Sequence, residues 1–193
     1  MNRKIGEILR TSVVALFLAG LAVPAVANET ADSRTHRALA PFFDVLIEGG
    51  EWRTPNPDYD GTAGTPSQYV LRHRWGPHGQ HMVGALLGYF ETADGPDERL
   101  FWTLYAVHNP VTDETTVTQI GANGALAQGP LRATPDGRHV VEQILYGPDG
   151  SMLAIRHEET MAADRRSFTS DVFERDADGR WKKVREWTWT RRP

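Results

Sequence analysis

The stretch EGGEWRT, residues 48–54 (Glu48-Gly49-Gly50-Glu51-Trp52-Arg53-Thr54), decides the fold of this chain. Apolar side chains recur at helical spacing over residues 39–46, and the glycine pair is expected to end this short helix. Trp52 follows in a first, short strand. It is a large side chain with polar neighbours, so it does not fit the pattern of an ordinary apolar strand. The tryptophan therefore indicates a special structural contact, which the other end of the chain supplies.

Before that contact is considered, the first 27 residues are interpreted as a secretory signal peptide. Arg3, Lys4 and Arg10 precede an apolar run over residues 12–23, and Ala25-Val26-Ala27 is a small-x-small cleavage site. An uncleaved membrane anchor is the alternative, but the run is shorter than the ~20 residues that a bilayer requires. We therefore expect the chain to be cleaved after Ala27 and the mature protein to be periplasmic or secreted.

The remainder of the 193-residue chain suits a flexible segment over residues 28–38 and a single domain over residues 39–193. There is no cysteine, so disulfides, thiolate metal sites and cysteine nucleophiles are excluded. The net charge of −4, without a clustered basic surface, argues against a nucleic-acid partner. We also expect no integral membrane segment after processing, since no later run is long and apolar enough.

Everything beyond Gly50 reads as strands separated by turn residues. Residues 67–75 alternate between apolar and polar side chains, residues 81–90 form a long apolar strand, and Asn123-Gly124 is a strong hairpin signal. About ten such segments at roughly 8–12-residue spacing predict an antiparallel meander, and closure of a long meander removes its exposed edges. The predicted fold is all-β: an antiparallel up-and-down β-barrel of about 8–10 strands with one short N-terminal helix.

The last strand, REWTWTRR over residues 185–192, explains the early tryptophan. Alternation places Trp187, Trp189 and Arg191 on one face, and barrel closure pairs this strand with the one that holds Trp52. Arg191 or Arg192 is then expected to lie flat on the indole of Trp52 and to reach carbonyls of the helix, and the phase with Trp187 and Trp189 favours Arg191. We therefore assign barrel closure to Gly50, Trp52 and Arg191.

A short helix, the Gly50-Glu51-Trp52 motif in strand one and an arginine at the end of the final strand resemble the lipocalin-like (calycin) barrels. More narrowly, the chain is similar to uncharacterised secreted bacterial lipocalin-like domain proteins, in its ending over residues 187–191 and in the turn over residues 109–113. The resemblance covers most of residues 39–192, and the disulfides common in secreted lipocalins are missing. It implies a barrel with a cavity and supplies no catalytic set.

In a barrel of this size, inward side chains either fill the lumen or line a small ligand cavity, and both alternatives stay open. Aromatic residues on several strands, mixed with polar ones, favour a small amphipathic or hydrophobic ligand bound without a cofactor. The residues expected to line the site are Tyr69, His73, Trp102, Gln143, His157, Glu159 and Trp187.

Two other kinds of chemistry are weighed against simple binding. His73, His78 and His81 are imidazoles of the type that bind Zn²⁺ or Cu²⁺, but their spacing, with His78 in a turn, favours a polar hairpin tip. His157 and Glu159 share an otherwise apolar strand face, which suits the acid–base pair of a hydrolase or isomerase in the barrel interior. A lone histidine such as His157 is also a candidate haem ligand.

A third class of function is an envelope domain whose partner is a protein. Non-catalytic binding of a small, partly apolar molecule in the barrel cavity is the leading hypothesis, because no third residue at a suitable spacing orients the histidine as a base.

Overall fold

The computed structural model describes residues 34–62, 64–79 and 81–192. The predicted signal peptide over residues 1–27 and the first part of the predicted flexible segment lie outside the described residues. The described part forms one α-helix, α1 (Arg34–Glu48), a single 3-10 turn (Pro77–Gly79) and ten strands. The strands are β1 (Glu51–Pro55), β2 (Gln68–Trp75), β3 (His81–Thr92), β4 (Gly95–Asn109), β5 (Glu114–Gly121), β6 (Leu126–Ala133), β7 (His139–Tyr146), β8 (Met152–Met161), β9 (Ser167–Arg175) and β10 (Trp181–Arg191).

The ten strands of the described part close into one antiparallel barrel. Each strand pairs with the next one along the chain, and β10 returns to pair with β1. At this seam Trp52 lies opposite Arg191, and Arg53 lies opposite Thr190. The prediction of an all-β, up-and-down antiparallel barrel with one short helix is confirmed.

The helix α1 is longer than the apolar spacing indicates. It begins at Arg34, so it includes residues 34–38, and Pro41 lies inside it. These first residues are mostly polar, which is why hydrophobic periodicity does not reveal them. None of the helices in the described part of the chain has the length and apolarity that a membrane crossing requires.

The glycine pair ends α1 and turns the chain into β1. Gly50 has a φ of 69°, the left-handed conformation that glycine adopts without strain at a helix end. Gly49 donates from its amide to the carbonyl of Val45 at 2.9 Å, and its backbone lies so close to the Trp52 indole that a Cβ would overlap the ring. The two glycines therefore have different roles, one conformational and one steric.

The end of the barrel against which α1 packs is here called the helix end, and the opposite end is called the mouth. One face of α1 is buried there against residues from both halves of the sheet. The buried apolar cluster at the helix end consists of Leu39, Phe42, Phe43, Val45, Leu46, Trp52, Met82, Ala106, Val117, Leu131, Val141, Phe168 and Trp189.

Candidate ligand-binding lumen

The pairing register shows which side chains point into the barrel. Trp52 belongs to the buried cluster and lies opposite Leu71, so alternate residues of β2 in phase with Leu71 point inward. The same reasoning, carried round the sheet from strand to strand, gives the inward positions of the other strands. All seven residues predicted to line the site occupy inward positions: Tyr69, His73, Trp102, Gln143, His157, Glu159 and Trp187.

At the helix end, two side chains of the seam bind the last turn of α1. The Trp52 side chain is fully buried, and its Nε1–H donates to the carbonyl of Leu46 at 2.9 Å. Arg191 donates from Nη2 to the carbonyl of Glu48 at 2.6 Å. Because the last carbonyls of a helix have no partner within the helix, these bonds join the plug to the seam.

The expected stacking of Arg191 on Trp52 is not found among the described residues. The indole instead meets Phe168 edge-on, with ring centroids 5.1 Å apart and an interplanar angle of 70°, and the backbone of Gly49 packs against it. The glycine occupies space beside the ring, and Arg191 extends to Glu48. The arginine therefore acts on the helix carbonyl and not on the aromatic face.

One step further into the barrel lies a ring of polar side chains, here called the polar belt. Each member stands two residues along its strand from a residue that belongs to, or packs against, the buried cluster. The members are His73, Gln119, Gln143, Glu159 and Ser170.

Hydrogen bonds within the polar belt satisfy only part of its capacity. Gln119 donates from Nε2 to Oε1 of Gln143 at 2.9 Å, and Gln143 donates to the carbonyl of Val117 at 3.2 Å. Ser170 donates from Oγ to Oε1 of Glu159 at 2.8 Å. Glu159 Oε2 and the Nδ1 atom of His73 are buried and have no protein partner. The belt therefore presents unused hydrogen-bonding atoms in the barrel interior.

Loss of solvation inside the barrel keeps the ionisable groups of the lumen uncharged. Desolvation raises the pKa of Glu159 to about 8, against the effect of the Ser170 hydrogen bond, and the charge of Asp171 adds a smaller increase. Desolvation also lowers the pKa of His73 and that of His157 to about 4 each. At neutral pH these three side chains are a carboxylic acid and two neutral imidazoles.

On the outer wall, the residue next to this acid has different partners. Glu158 points outward from β8 and is held between the guanidinium groups of Arg138 and Arg156. Consecutive glutamates of β8 thus have different environments. Glu158 lies between two guanidinium groups, and Glu159 accepts a hydrogen bond from the Ser170 hydroxyl.

Between the polar belt and the mouth, the wall is mostly apolar and is not tightly packed. The inward side chains here keep part of their surface accessible, in contrast to the buried residues of the helix end. Half-buried wall residues include Leu71, Leu86, Trp102, Leu145, Leu153, Ile155 and His157.

Aromatic rings gather at the mouth. Tyr69 meets Trp187 edge-on at 5.3 Å and lies 5.9 Å from Phe101, the residue that a β-bulge adds to β4. The guanidinium of Arg185 lies 5.1 Å from the ring centroid of Trp187 and forms an ion pair of 2.6 Å with Asp58 in the β1–β2 loop.

The structure separates the histidines that follow one another in sequence. His73 points into the lumen, so its assignment to a polar hairpin tip is wrong. His81 points to the outer face, where its ring packs against Gly76. Among the described residues, no group of three histidine, aspartate or glutamate side chains is placed to hold a metal ion.

His157 and Glu159 both point into the lumen, as their shared strand face predicts. In the described structure no hydrogen bond joins them, and the recorded partner of Glu159 is Ser170. Sequence reasoning missed Ser170, and also His139, which lies opposite Glu159 on β7 and stacks on Phe42 of α1 with centroids 4.0 Å apart. The register of the β7–β8 and β8–β9 hairpins would have identified both residues.

The barrel and its interior define the class of this protein as a closed antiparallel β-barrel with a candidate internal binding site. No protein-family model matches the chain, and a search of the curated proteins gives no match either. The resemblance to lipocalin-like domains therefore stays a hypothesis, and function has to be argued from the lumen itself.

Proposed function

We propose that this chain is an exported lipocalin-like domain that binds a small, partly apolar molecule in the barrel lumen and does not transform it. One observation carries the proposal: the polar belt holds buried atoms without partners directly beneath a half-buried apolar wall. Binding sites for small molecules combine these elements, being mostly apolar with a few placed polar groups.

The two parts of the lumen suit the two parts of an amphipathic ligand. A buried polar atom without a partner costs about 1–3 kcal/mol, so a ligand group that bonds to Glu159 or His73 recovers part of that cost. The apolar body of the ligand then packs on wall residues such as Leu71 and Leu145, and aromatic rings enclose it at the mouth. Export is supported by the predicted signal peptide over residues 1–27, and the lipocalin-like assignment by the Gly50-Glu51-Trp52 motif.

The proposal is tested by native mass spectrometry of the protein purified from its own host, followed by extraction and identification of what is bound. A paired substitution controls for specificity. Leu145→Trp places bulk in the lumen wall, whereas Ile144→Trp places the same bulk on the outer face one residue earlier. We expect wild type and Ile144→Trp to carry the same noncovalent adduct and Leu145→Trp to lose it. An adduct retained equally by both variants would place the bound molecule outside the lumen and contradict the proposal.

The competing function is a hydrolase or isomerase that uses His157 and Glu159. It is favoured by the shifted pKa values of both groups, because such shifts cluster at functional sites. The missing hydrogen bond between them weighs against it. Replacement of His157 with Gln distinguishes the two: an enzyme active on esters or lactones should lose at least ~10²-fold activity, the usual contribution of a general base. A loss of that size in a folded variant that still binds ligand would favour the enzyme.

A further inference from the structure

The charges at inward positions of the described strands show what kind of ligand head the lumen accepts. Apart from Glu159, the inward Asp, Glu, Lys and Arg side chains lie at the two ends of the barrel. They are Asp97, Arg99, Glu174, Lys182 and Arg185 toward the mouth and Arg191 at the helix end.

All three arginines at these ends already have partners within the protein. Arg191 donates to the carbonyl of Glu48, and Arg185 pairs with Asp58 at 2.6 Å. Arg99 pairs with Asp97 at 2.8 Å and lies over the ring of Phe90. None of them reaches the polar belt as a counter-ion for a bound anion.

The polar belt itself is uncharged at neutral pH. In the belt, the Glu159 side chain is a carboxylic acid. Its hydroxyl can donate a hydrogen bond, and its other oxygen accepts one from Ser170. The neutral imidazole of His157 and the free amide oxygen of Gln119 add acceptors. A carboxylate or ammonium head placed here would lose its water without gaining a partner of opposite charge, which is costly in an apolar interior.

We infer that the ligand is a neutral amphipath whose head carries a hydroxyl or carbonyl oxygen, bound with the head on the polar belt and the tail toward the mouth. The inference rests on the proposed function and specifies its ligand class. The strand distance from Glu159 to Ile155 is four residues, or ~13 Å, which suits a tail of about ten carbons.

A series of ligands with one tail and different heads tests the inference. The full chain is titrated at pH 7 with decan-1-ol, decan-2-one, decanoate and decylammonium, and binding is followed by calorimetry and by the fluorescence of wall tryptophans such as Trp102. We expect the alcohol and the ketone to bind at least about tenfold more tightly than either ion, since only the ions leave an uncompensated charge in the lumen.

Two substitutions at Glu159 and one outside the barrel sharpen the test. Glu159→Gln keeps a neutral donor and acceptor, so it should retain the preference for the alcohol. Glu159→Leu removes the polar head contact, so decan-1-ol affinity should fall about tenfold or more. Glu142→Leu, on the outer face of β7, is the matched control and should leave all four affinities unchanged.

The outcomes distinguish failure of the inference from failure of the proposed function. Tighter binding of decanoate or decylammonium than of the neutral ligands would overturn the inference and leave the proposed function standing. Unchanged decan-1-ol affinity in a folded Glu159→Leu protein would also overturn it. If Glu159→Leu does not fold, the wild-type series and Glu159→Gln decide the question. Failure of all four ligands to bind the folded protein would overturn the inference, and the adduct found or missed by native mass spectrometry would decide the proposed function separately.

Discussion

The helix end and the lumen above it are built from the same ten strands but differ in how tightly their side chains pack. At the helix end, Trp52 and Phe168 are buried, and the polar atoms of the seam reach carbonyls of α1. Two residues further along each strand, Glu159 and His73 hold atoms without partners, and the wall beyond is only half-buried. A step of ~7 Å along the strand thus separates a tightly packed region from a half-buried one, while unpartnered polar atoms occur in both, since Nδ1 of His139 against Phe42 has no protein partner either.

Under the proposed function, this difference assigns stability to one part of the sheet and ligand binding to another. Tight packing with paired polar groups is what stabilises a fold, whereas unsatisfied polar atoms and loose walls cost stability and are kept where binding requires them. Substitutions at the helix end should therefore affect the free energy of unfolding, and substitutions in the lumen should affect ligand affinity.

The largest test compares two tryptophans. Trp52→Ala removes a fully buried ring together with its bond to Leu46, so unfolding free energy should fall by about 3–5 kcal/mol. Trp102→Ala removes a half-buried ring from the lumen wall and should cost less than about 2 kcal/mol, because part of that ring is already solvated. Urea denaturation followed by circular dichroism measures both. Equal costs would mean that the two regions do not differ in packing.

A second test separates the two glycines of the motif. Gly49→Ala forces a methyl group against the Trp52 indole and should cost about 2–3 kcal/mol by overpacking. Gly50→Ala meets no neighbouring atom but must keep a positive φ, so it should cost about 1 kcal/mol. Thermal denaturation of both variants ranks them, and a larger loss at Gly50 would refute the steric role of Gly49.

The ionisable groups of the lumen should make stability depend on pH, and His139 at the helix end adds to this, since burial lowers its pKa as well. The pKa of Glu159 is about 8 in the fold and near 4.5 when unfolded, so its contribution to stability is complete below about 4.5 and lost as pH rises through 8. The pKa values of His73 and His157 are lowered, so their contribution is present above about 6.5 and lost as pH falls toward 4.

Glu159→Gln isolates the acid from the two histidines. Between pH 5 and 8.5 the wild type should lose about 2 kcal/mol of unfolding free energy relative to this variant. This is less than the full free energy that corresponds to a pKa shift of this size. Glu142→Gln, on the outer face, should show the wild-type profile. Parallel profiles for wild type and Glu159→Gln would show that the acid titrates normally in the fold.

The smallest expected effect concerns the two bonds to the end of α1. Arg191→Ala removes an exposed side chain and one hydrogen bond to Glu48, so we expect a cost of about 1 kcal/mol. The double variant with Trp52→Ala should cost less than the sum of the single ones, because both residues hold the same helix end. Strict additivity in denaturant unfolding would show that they act independently.

Much of the fold could be predicted because the meander is specified locally. The predicted strands over residues 67–75 and 81–90 match β2 and β3 to within one or two residues at each end, since the hydrophobic pattern and the turn residues mark them locally. The inward positions could be predicted as well, because one buried residue fixes which alternate residues of its strand point inward.

Features that depend on pairing between strands could not be predicted in this way. The bulge that brings Phe101 to the mouth is a property of the β3–β4 register, and no single-strand pattern reveals it. The position of Gly49 against Trp52 depends on how α1 enters the barrel. The polar belt combines residues of five strands, so Ser170 becomes meaningful only once Glu159 lies opposite it.

The seam also has a kinetic consequence. Every other strand pairing joins neighbours along the chain, whereas Arg53 and Thr190 meet across 137 residues. Closing so long a loop carries the largest entropic cost of any pairing here, so we expect the seam to form after the folding transition state. Arg191→Ala should then speed unfolding and leave refolding nearly unchanged in stopped-flow experiments. The contact that completes the barrel would in that case set the lifetime of the folded state rather than the speed of reaching it.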